Sequence, residues 1–207
     1  MASLTSCLEQ CEIDKVGEVI VTNNTDTDLW IDVTGEDGST NENRLVTVGT
    51  STTYSMPEGT VKIWASLTSN NEDFWLVNTQ SLAKCGTVDF QTPSQTCALF
   101  NTTVVEMVNL TGYYVWVDIR QGEFLYGALN LDPNQTATYY NVWAGAPIEI
   151  GIRIPAIVDT WTWDTKNISA CTPASWDWTY GKAKSLIEES QGVEKPATVE
   201  FQRPTKK

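Results

Sequence analysis

The chain has 207 residues, a net charge of −13 at pH 7 and no histidine. The charge argues against a nucleic-acid or anionic-membrane binder, because phosphate groups would repel this surface. The lack of histidine excludes serine–histidine and cysteine–histidine nucleophile pairs and removes the commonest ligand of transition metals. No apolar run approaches the roughly 18 residues that a membrane span needs. We therefore expect no metal, no cofactor and no membrane span.

Short segments in the first half of the chain alternate apolar and polar residues, which predicts strands with one buried face. In chain order these segments are 19–21, 29–33, 45–48, 52–55, 61–67 and 87–91. Turn-forming residues such as 57–59 separate them. This spacing is typical of an antiparallel sandwich. Asn23 and Asn24 are expected to join the first two strands as a hairpin.

The second half of the chain repeats the first at a shift of 86 residues. The sequence LWIDV at 29–33 matches VWVDI at 115–119, and the Asn-x-Thr that begins at Asn23 recurs at Asn109. The segment at 87–93 recurs at 198–204, a shift of 111, so the second copy carries about 25 additional residues (111 − 86) at about 172–197. This many matches at nearly one shift indicates a tandem duplication.

The repeat predicts an all-β chain of two tandem, duplicated antiparallel β-sandwich domains with an immunoglobulin-like architecture. We place the domains at 1–95 and 96–207, with about seven strands in each. A short helix is predicted at 182–191, inside the additional segment of the second domain, and Gly192 would end it.

Four of the five cysteines follow the repeat. Cys11 and Cys97 open the two copies, and Cys85 and Cys171 follow them at the same separation of 74 residues. This pattern predicts the disulfides Cys11–Cys85 and Cys97–Cys171, which persist in oxidising surroundings and so indicate an extracellular or cell-surface protein. The alternative is buried free thiols in a cytosolic protein. Cys7 has no counterpart and is predicted to be a spare thiol that could join another subunit, carry a lipid or compete for Cys85.

Five Asn-x-Ser/Thr sequences are candidate glycosylation sites. They begin at Asn23, Asn101, Asn109, Asn134 and Asn167. The alternative is that these residues form turns in a β protein rich in threonine and asparagine.

Two groups of aromatic and acidic residues could bind a ligand. The first is the densest aromatic cluster, whose candidate ligand- or partner-binding residues are Trp163, Asp164, Trp176, Asp177, Trp178 and Tyr180. An indole covers the apolar face of a sugar and a carboxylate accepts its hydroxyl hydrogens. The alternative is a local core beneath the predicted helix.

The second group consists of one Trp-x-Asp pair in each copy, Trp30 with Asp32 and Trp116 with Asp118. Each pair shares one face of its predicted strand, opposite the aliphatic residues. These residues are either an exposed site or core residues packed on the disulfide.

We expect a secreted or surface, non-enzymatic binding protein that recognises a carbohydrate or a cell-surface protein. No nucleophile motif is present, and nothing in the sequence places two carboxylates at the separation that glycoside hydrolysis needs. The alternative function is a structural subunit of an extracellular filament, surface layer or virion, whose partners are further copies of the chain.

Overall fold

The computed structural model describes residues 11–40, 43–68 and 73–179 and the single positions 181, 184 and 205. It divides into two compact units, which we call domain 1 (Met1–Phe100 with Pro204–Lys207) and domain 2 (Asn101–Arg203). The described part of each domain contains seven strands, and the predicted class of two β-sandwich domains is confirmed. Of the predicted helix at 182–191 only Lys184 is described, and it is helical.

Domain 1 consists of two facing sheets. Its strands are β1 (Val16–Thr22), β2 (Leu29–Gly35), β3 (Arg44–Val46), β4 (Ser51–Pro57), β5 (Gly59–Ser66), β6 (Trp75–Leu82) and β7 (Thr87–Gln91). The sheet orders are β4-β1-β7 and β3-β2-β5-β6, and β1 runs antiparallel to β4 but parallel to β7. One apolar cluster, to which both sheets contribute, forms the core. A short helix, α1 (Thr96–Phe100), follows.

Domain 2 repeats this arrangement strand for strand. Its strands are β8 (Thr102–Leu110), β9 (Val115–Gln121), β10 (Phe124–Leu131), β11 (Thr136–Trp143), β12 (Ile148–Ile154), β13 (Val158–Lys166) and β14 (Ala174–Thr179). The sheet orders are β11-β8-β14 and β10-β9-β12-β13. As in domain 1, the first strand is antiparallel to one neighbour and parallel to the other.

The predicted hairpin between the first two strands is wrong, because β1 and β2 lie in different sheets. The residue that redirects the chain is Asn23, whose side chain is fully buried. Its Nδ2 donates to the carbonyls of Thr27 and Val46, at 2.9 Å each. Its Oδ1 accepts from the amide and the hydroxyl of Thr25, at 3.0 and 2.7 Å. These four hydrogen bonds hold the chain in a crossover from one sheet to the other.

Asn109 makes the same four hydrogen bonds at the equivalent crossover of domain 2. Its Nδ2 donates to the carbonyls of Tyr113 and Leu131, and its Oδ1 accepts from the amide and the hydroxyl of Thr111. Both asparagines are buried and their nitrogens are engaged. The prediction of glycosylation at Asn23 and Asn109 is therefore wrong for the folded protein. The other three candidate asparagines, Asn101, Asn134 and Asn167, are exposed.

The predicted repeat at 198–204 lies outside the described residues. Within the described residues β14 pairs parallel to β8, the position that β7 takes beside β1. This strand lies within the stretch that the sequence predicted to be an insertion. It can take the position because Trp176 and Trp178 alternate along it and fill the core with their indoles.

Two disulfides are present. Cys11 and Cys85 are bonded, with their Cα atoms 5.3 Å apart. Cys97 and Cys171 are disulfide-bonded too. The one remaining cysteine, Cys7, could bond with only one of them. Since both Cys97 and Cys171 are bonded, they are bonded to each other, and both predicted pairs are confirmed. Cys7 itself lies outside the described residues. Disulfides of this kind support an extracellular or surface location.

Candidate binding face of domain 2

The four-stranded sheet of domain 2 has a core face and an outer face. Val117 and Ile119 of β9 and Ile150 and Ile152 of β12 point into the core. The alternate residues of the same strands therefore point outward. We call this surface the outer face, and its residues are Trp116, Asp118, Arg120, Glu149, Gly151, Arg153 and Trp163.

Trp116 and Arg153 form a solvent-accessible pair on the outer face. They stand opposite each other across β9 and β12. The guanidinium carbon of Arg153 lies 5.6 Å from the centre of the Trp116 ring, which is a cation–π contact. Trp116 is nevertheless 40% exposed. The sheet thus presents an indole to solvent in a fixed orientation beside a planar hydrogen-bond donor.

A second arginine on the outer face is held by a carboxylate and an indole. Arg120 donates from Nε to Oδ2 of Asp118 at 2.7 Å, and its Nη2 forms an ion pair with the same oxygen. Its guanidinium carbon lies 5.1 Å from the ring centre of Trp163, which in turn stacks on Trp161 at 5.8 Å. The carboxylate of Asp118 is almost completely buried, so this ion pair fixes the arginine in place.

Gly151 makes room for the indole of Trp163. A Cβ atom at position 151 would come within 2.8 Å of the Trp163 ring. Any larger residue would therefore displace the indole from the sheet surface. The absence of a side chain at 151 is what allows a tryptophan of β13 to lie over β12 and contact Arg120.

The charges of the outer face balance. Arg120 and Arg153 are matched by Asp118 and by Glu149, which stands opposite Arg120 across the two strands. Counted over these described residues, the outer face is neutral in a chain whose net charge is −13. It therefore suits an uncharged ligand rich in hydroxyl groups better than a strongly charged one.

Domain 1 has no equivalent of this arrangement within its described residues. Ser66 stands opposite Trp30 where domain 2 has Arg153 opposite Trp116. Trp64 stands opposite Asp32, is buried and donates from Nε1 to the hydroxyl of Thr34 at 2.9 Å. The Trp-x-Asp pairs thus lie on the outer faces of both domains, but only domain 2 adds arginines to them.

The structure separates the residues of the predicted aromatic cluster. Trp176 and Trp178 are 4% and 1% exposed and belong to the core of domain 2. The prediction that they form a binding surface is wrong, because β14 turns them toward the opposite sheet. Lys166 lies over the Trp176 ring, 4.7 Å from its centre.

The remaining predicted residues are dispersed. Asp177 is exposed on the other side of β14 and accepts a hydrogen bond from the Ser175 hydroxyl. Asp164 accepts from the amide of Thr165. Tyr180 lies outside the described residues. Of the predicted aromatic cluster, Trp163 is the one residue that the described structure places on the outer face, where it joins Trp116 and Asp118 of the second predicted group.

Sequence reasoning did not single out Arg120 and Arg153. A signal was present, because both alternate with aliphatic residues and so must face away from the core. The strand register that places Arg153 beside Trp116 is a property of the folded sheet and has no counterpart in the sequence.

Asp118 also affects the core beneath it. Burial raises the pKa of Tyr139 to about 12, and the negative charge of Asp118 adds to the shift. Tyr139 therefore keeps its proton at pH values where an unperturbed tyrosine, with a pKa of about 10, is ionised.

No family model matches the chain, and no curated protein matches its sequence. Several solved structures are similar. The TIE protein of Bacillus anthracis is 9% identical with a TM-score of 0.35, and the match covers 79% of this chain and 34% of that one. An adhesin candidate from Bacteroides ovatus is 9% identical, with coverages of 79% and 87% and a TM-score of 0.40. A mutant form of the major pilin of Streptococcus pyogenes is 7% identical, with coverages of 80% and 98% and a TM-score of 0.27.

This chain thus spans about a third of the length of the TIE protein. Similarities at these identities concern the fold alone and assign no function. Within the described residues, no helix has the length and apolar character needed to cross a membrane.

Proposed function

We propose that this protein is an extracellular or surface, non-enzymatic binding protein and that the outer face of domain 2 binds carbohydrate. The two disulfides support the location. The observation that carries the ligand class is the exposed Trp116 indole with the Arg153 guanidinium beside it.

The chemistry of the outer face matches a sugar. An indole covers the C–H face of a pyranose, while guanidinium and carboxylate groups bind its hydroxyls in defined directions. These groups stand on paired strands rather than on loops, so their geometry is fixed before the ligand arrives, which lowers the entropic cost of binding.

The test is a glycan array probed with the full chain, followed by calorimetric titration of the glycans that bind. Trp116→Ala is expected to weaken binding at least tenfold, because aromatic anchors dominate such interfaces. The matched control is Trp30→Ala, the equivalent residue in domain 1, which lacks the arginine. Both residues lie on outer faces, so neither change should unfold the chain.

Failure of the wild-type chain to bind any glycan would contradict the proposal, as would equal losses from the Trp116 and Trp30 variants. The alternative of a structural subunit predicts a different result, namely ordered polymers in negative-stain images and no glycan-dependent signal.

A further inference from the structure

Strand β10 forms an apolar edge of the four-stranded sheet of domain 2. Among the described strands it stands at one edge of its sheet, whose order is β10-β9-β12-β13. Its eight residues, FLYGALNL, include no charged side chain. Phe124, Leu125 and Leu129 are 46%, 47% and 43% exposed. A long, uncharged, apolar edge strand of this kind favours pairing with a strand of another chain.

The exposure of Leu129 has a structural cause. Leu129 pairs with Val117, so its side chain is on the core side of the sheet. Within the described residues, the opposing sheet of domain 2 has three strands against four. These strands leave Leu129 nearly half exposed.

The counterpart of β10 in domain 1 is protected. Strand β3 has only three residues, Arg44–Val46, and begins with an arginine. The Arg44 guanidinium donates to the carbonyl of Thr53 at 2.7 Å. Short length and a positive charge are features by which monomeric proteins prevent the pairing of edge strands between molecules. Domain 2 lacks both at β10.

We propose that β10 is a self-association surface, on which the β10 strand of a second copy pairs antiparallel in a two-fold symmetric dimer. Two copies of a chain with net charge −13 repel each other. The uncharged β10 strand is a place where they can approach without burying a charge. With a two-fold axis, each β10 strand pairs with the β10 strand of the other copy, and one interface covers Leu129 of both copies. The two four-stranded sheets then become one continuous sheet.

Acidic residues at both ends of β10 limit this association. Glu123 precedes the strand and Asp132 follows it, and both are exposed. Antiparallel pairing brings each Glu123 close to Asp132 of the second copy. Added salt screens this repulsion, so the dimer strengthens as ionic strength rises. Replacing both residues by their amides, in Glu123→Gln/Asp132→Asn, should tighten the dimer about two- to thirtyfold, since each like-charge contact costs about 0.2–1 kcal/mol.

The test is sedimentation velocity of the full chain from micromolar to near-millimolar concentration, at low and high salt. The wild-type chain should show a monomer–dimer equilibrium. Leu129→Lys should raise its dissociation constant at least tenfold, because the lysine would have to be buried against the second copy. The matched control is Leu45→Lys, which introduces the same charge on β3 at a leucine that is 50% exposed and should leave the equilibrium unchanged.

Three results would overturn the proposal. These are a wild-type chain that stays monomeric at every concentration and salt level, a dimer unaffected by Leu129→Lys, and a dimer that the Leu45 variant weakens equally. Leu125→Lys provides a second variant if Leu129→Lys lowers the melting temperature. Non-reducing gels separate a Cys7-linked species from the strand-paired dimer. None of these measurements involves glycan, so failure here leaves the carbohydrate proposal standing.

Discussion

Substitution of the buried asparagines at the two crossovers tests directly which interactions stabilise this fold. We consider Asn109→Ala, which removes a side chain that makes four hydrogen bonds within the core of domain 2. The change creates little cavity, because asparagine is small. The loss is therefore one of hydrogen bonding, and its size follows from which groups are left without a partner.

Two of the four partners can satisfy each other. The Thr111 hydroxyl already lies 3.2 Å from the Tyr113 carbonyl and can donate to it. The Leu131 carbonyl and the Thr111 amide lose the bonds that Asn109 gave them. An unsatisfied buried polar group costs about 1–3 kcal/mol. The variant should therefore lose about 2–6 kcal/mol of unfolding free energy.

Differential scanning calorimetry of the full chain measures this loss. For a domain of about 100 residues, a loss of 2 kcal/mol already lowers the melting temperature by roughly 8–16 °C. Asn23→Ala should cost a similar amount in domain 1, because its network is the same. Asn109→Asp should be at least as harmful as alanine, because a carboxylate cannot donate to the two carbonyls and buries a charge.

The control is Asn167→Ala, an exposed asparagine in a sequence of the same Asn-x-Ser/Thr type, which should change stability by less than about 0.5 kcal/mol. The reasoning is refuted if Asn109→Ala costs less than about 1 kcal/mol, or if the Asn167 variant is destabilised as strongly. Either result would mean that the asparagine network does not hold the crossover.

Three further outcomes are expected. Trp176→Ala should cost about 3–5 kcal/mol in calorimetric melting, because its indole is in the core, whereas Trp163→Ala on the outer face should cost clearly less. The pKa of Tyr139 is about 12 in the folded and about 10 in the unfolded protein, so folding favours the protonated phenol. The contribution of this group to the free energy of unfolding is therefore fully present below pH 10 and is lost as the pH rises toward 12. By pH 11 the loss is about 1.4 kcal/mol, and Tyr139→Phe should flatten this alkaline decline in denaturant titrations. Replacing Cys11 and Cys85 by serine should destabilise domain 1 by up to about 4–5 kcal/mol, since the bond closes a loop of 74 residues.

Part of the candidate site follows from the sequence pattern. The period-two alternation around Trp116 and Arg153 predicts that both side chains point away from the core. Their pairing could not be inferred, because backbone hydrogen bonds join any two strands regardless of side chain, and a shift of one residue in register would separate them. The same limit applies to Arg120, whose position beside Trp163 depends on the register of three strands.

The Asn-x-Thr motif was visible as a repeat, but the sequence left both glycosylation and turn formation open as its role. Its recurrence at Asn23 and Asn109 is a property of the sequence. Whether such an asparagine forms a surface glycosylation site or a buried crossover depends on what surrounds it. Carbonyl groups from distant strands, Val46 in domain 1 and Leu131 in domain 2, accept from its nitrogen, and only the folded chain brings them there.

The sequence by itself determined the duplication, the strand-rich class and the cysteine pairs, because these rest on spacing, local alternation and residue type. Only the tertiary structure decided that β14 takes the position beside β8, for which the sequence had favoured 198–204, and that Trp176 lies in the core. Both segments alternate apolar and polar residues, so either could serve as a strand with one buried face. The choice between them depends on which set of side chains fills the space beside β8, and that is a property of packing in three dimensions.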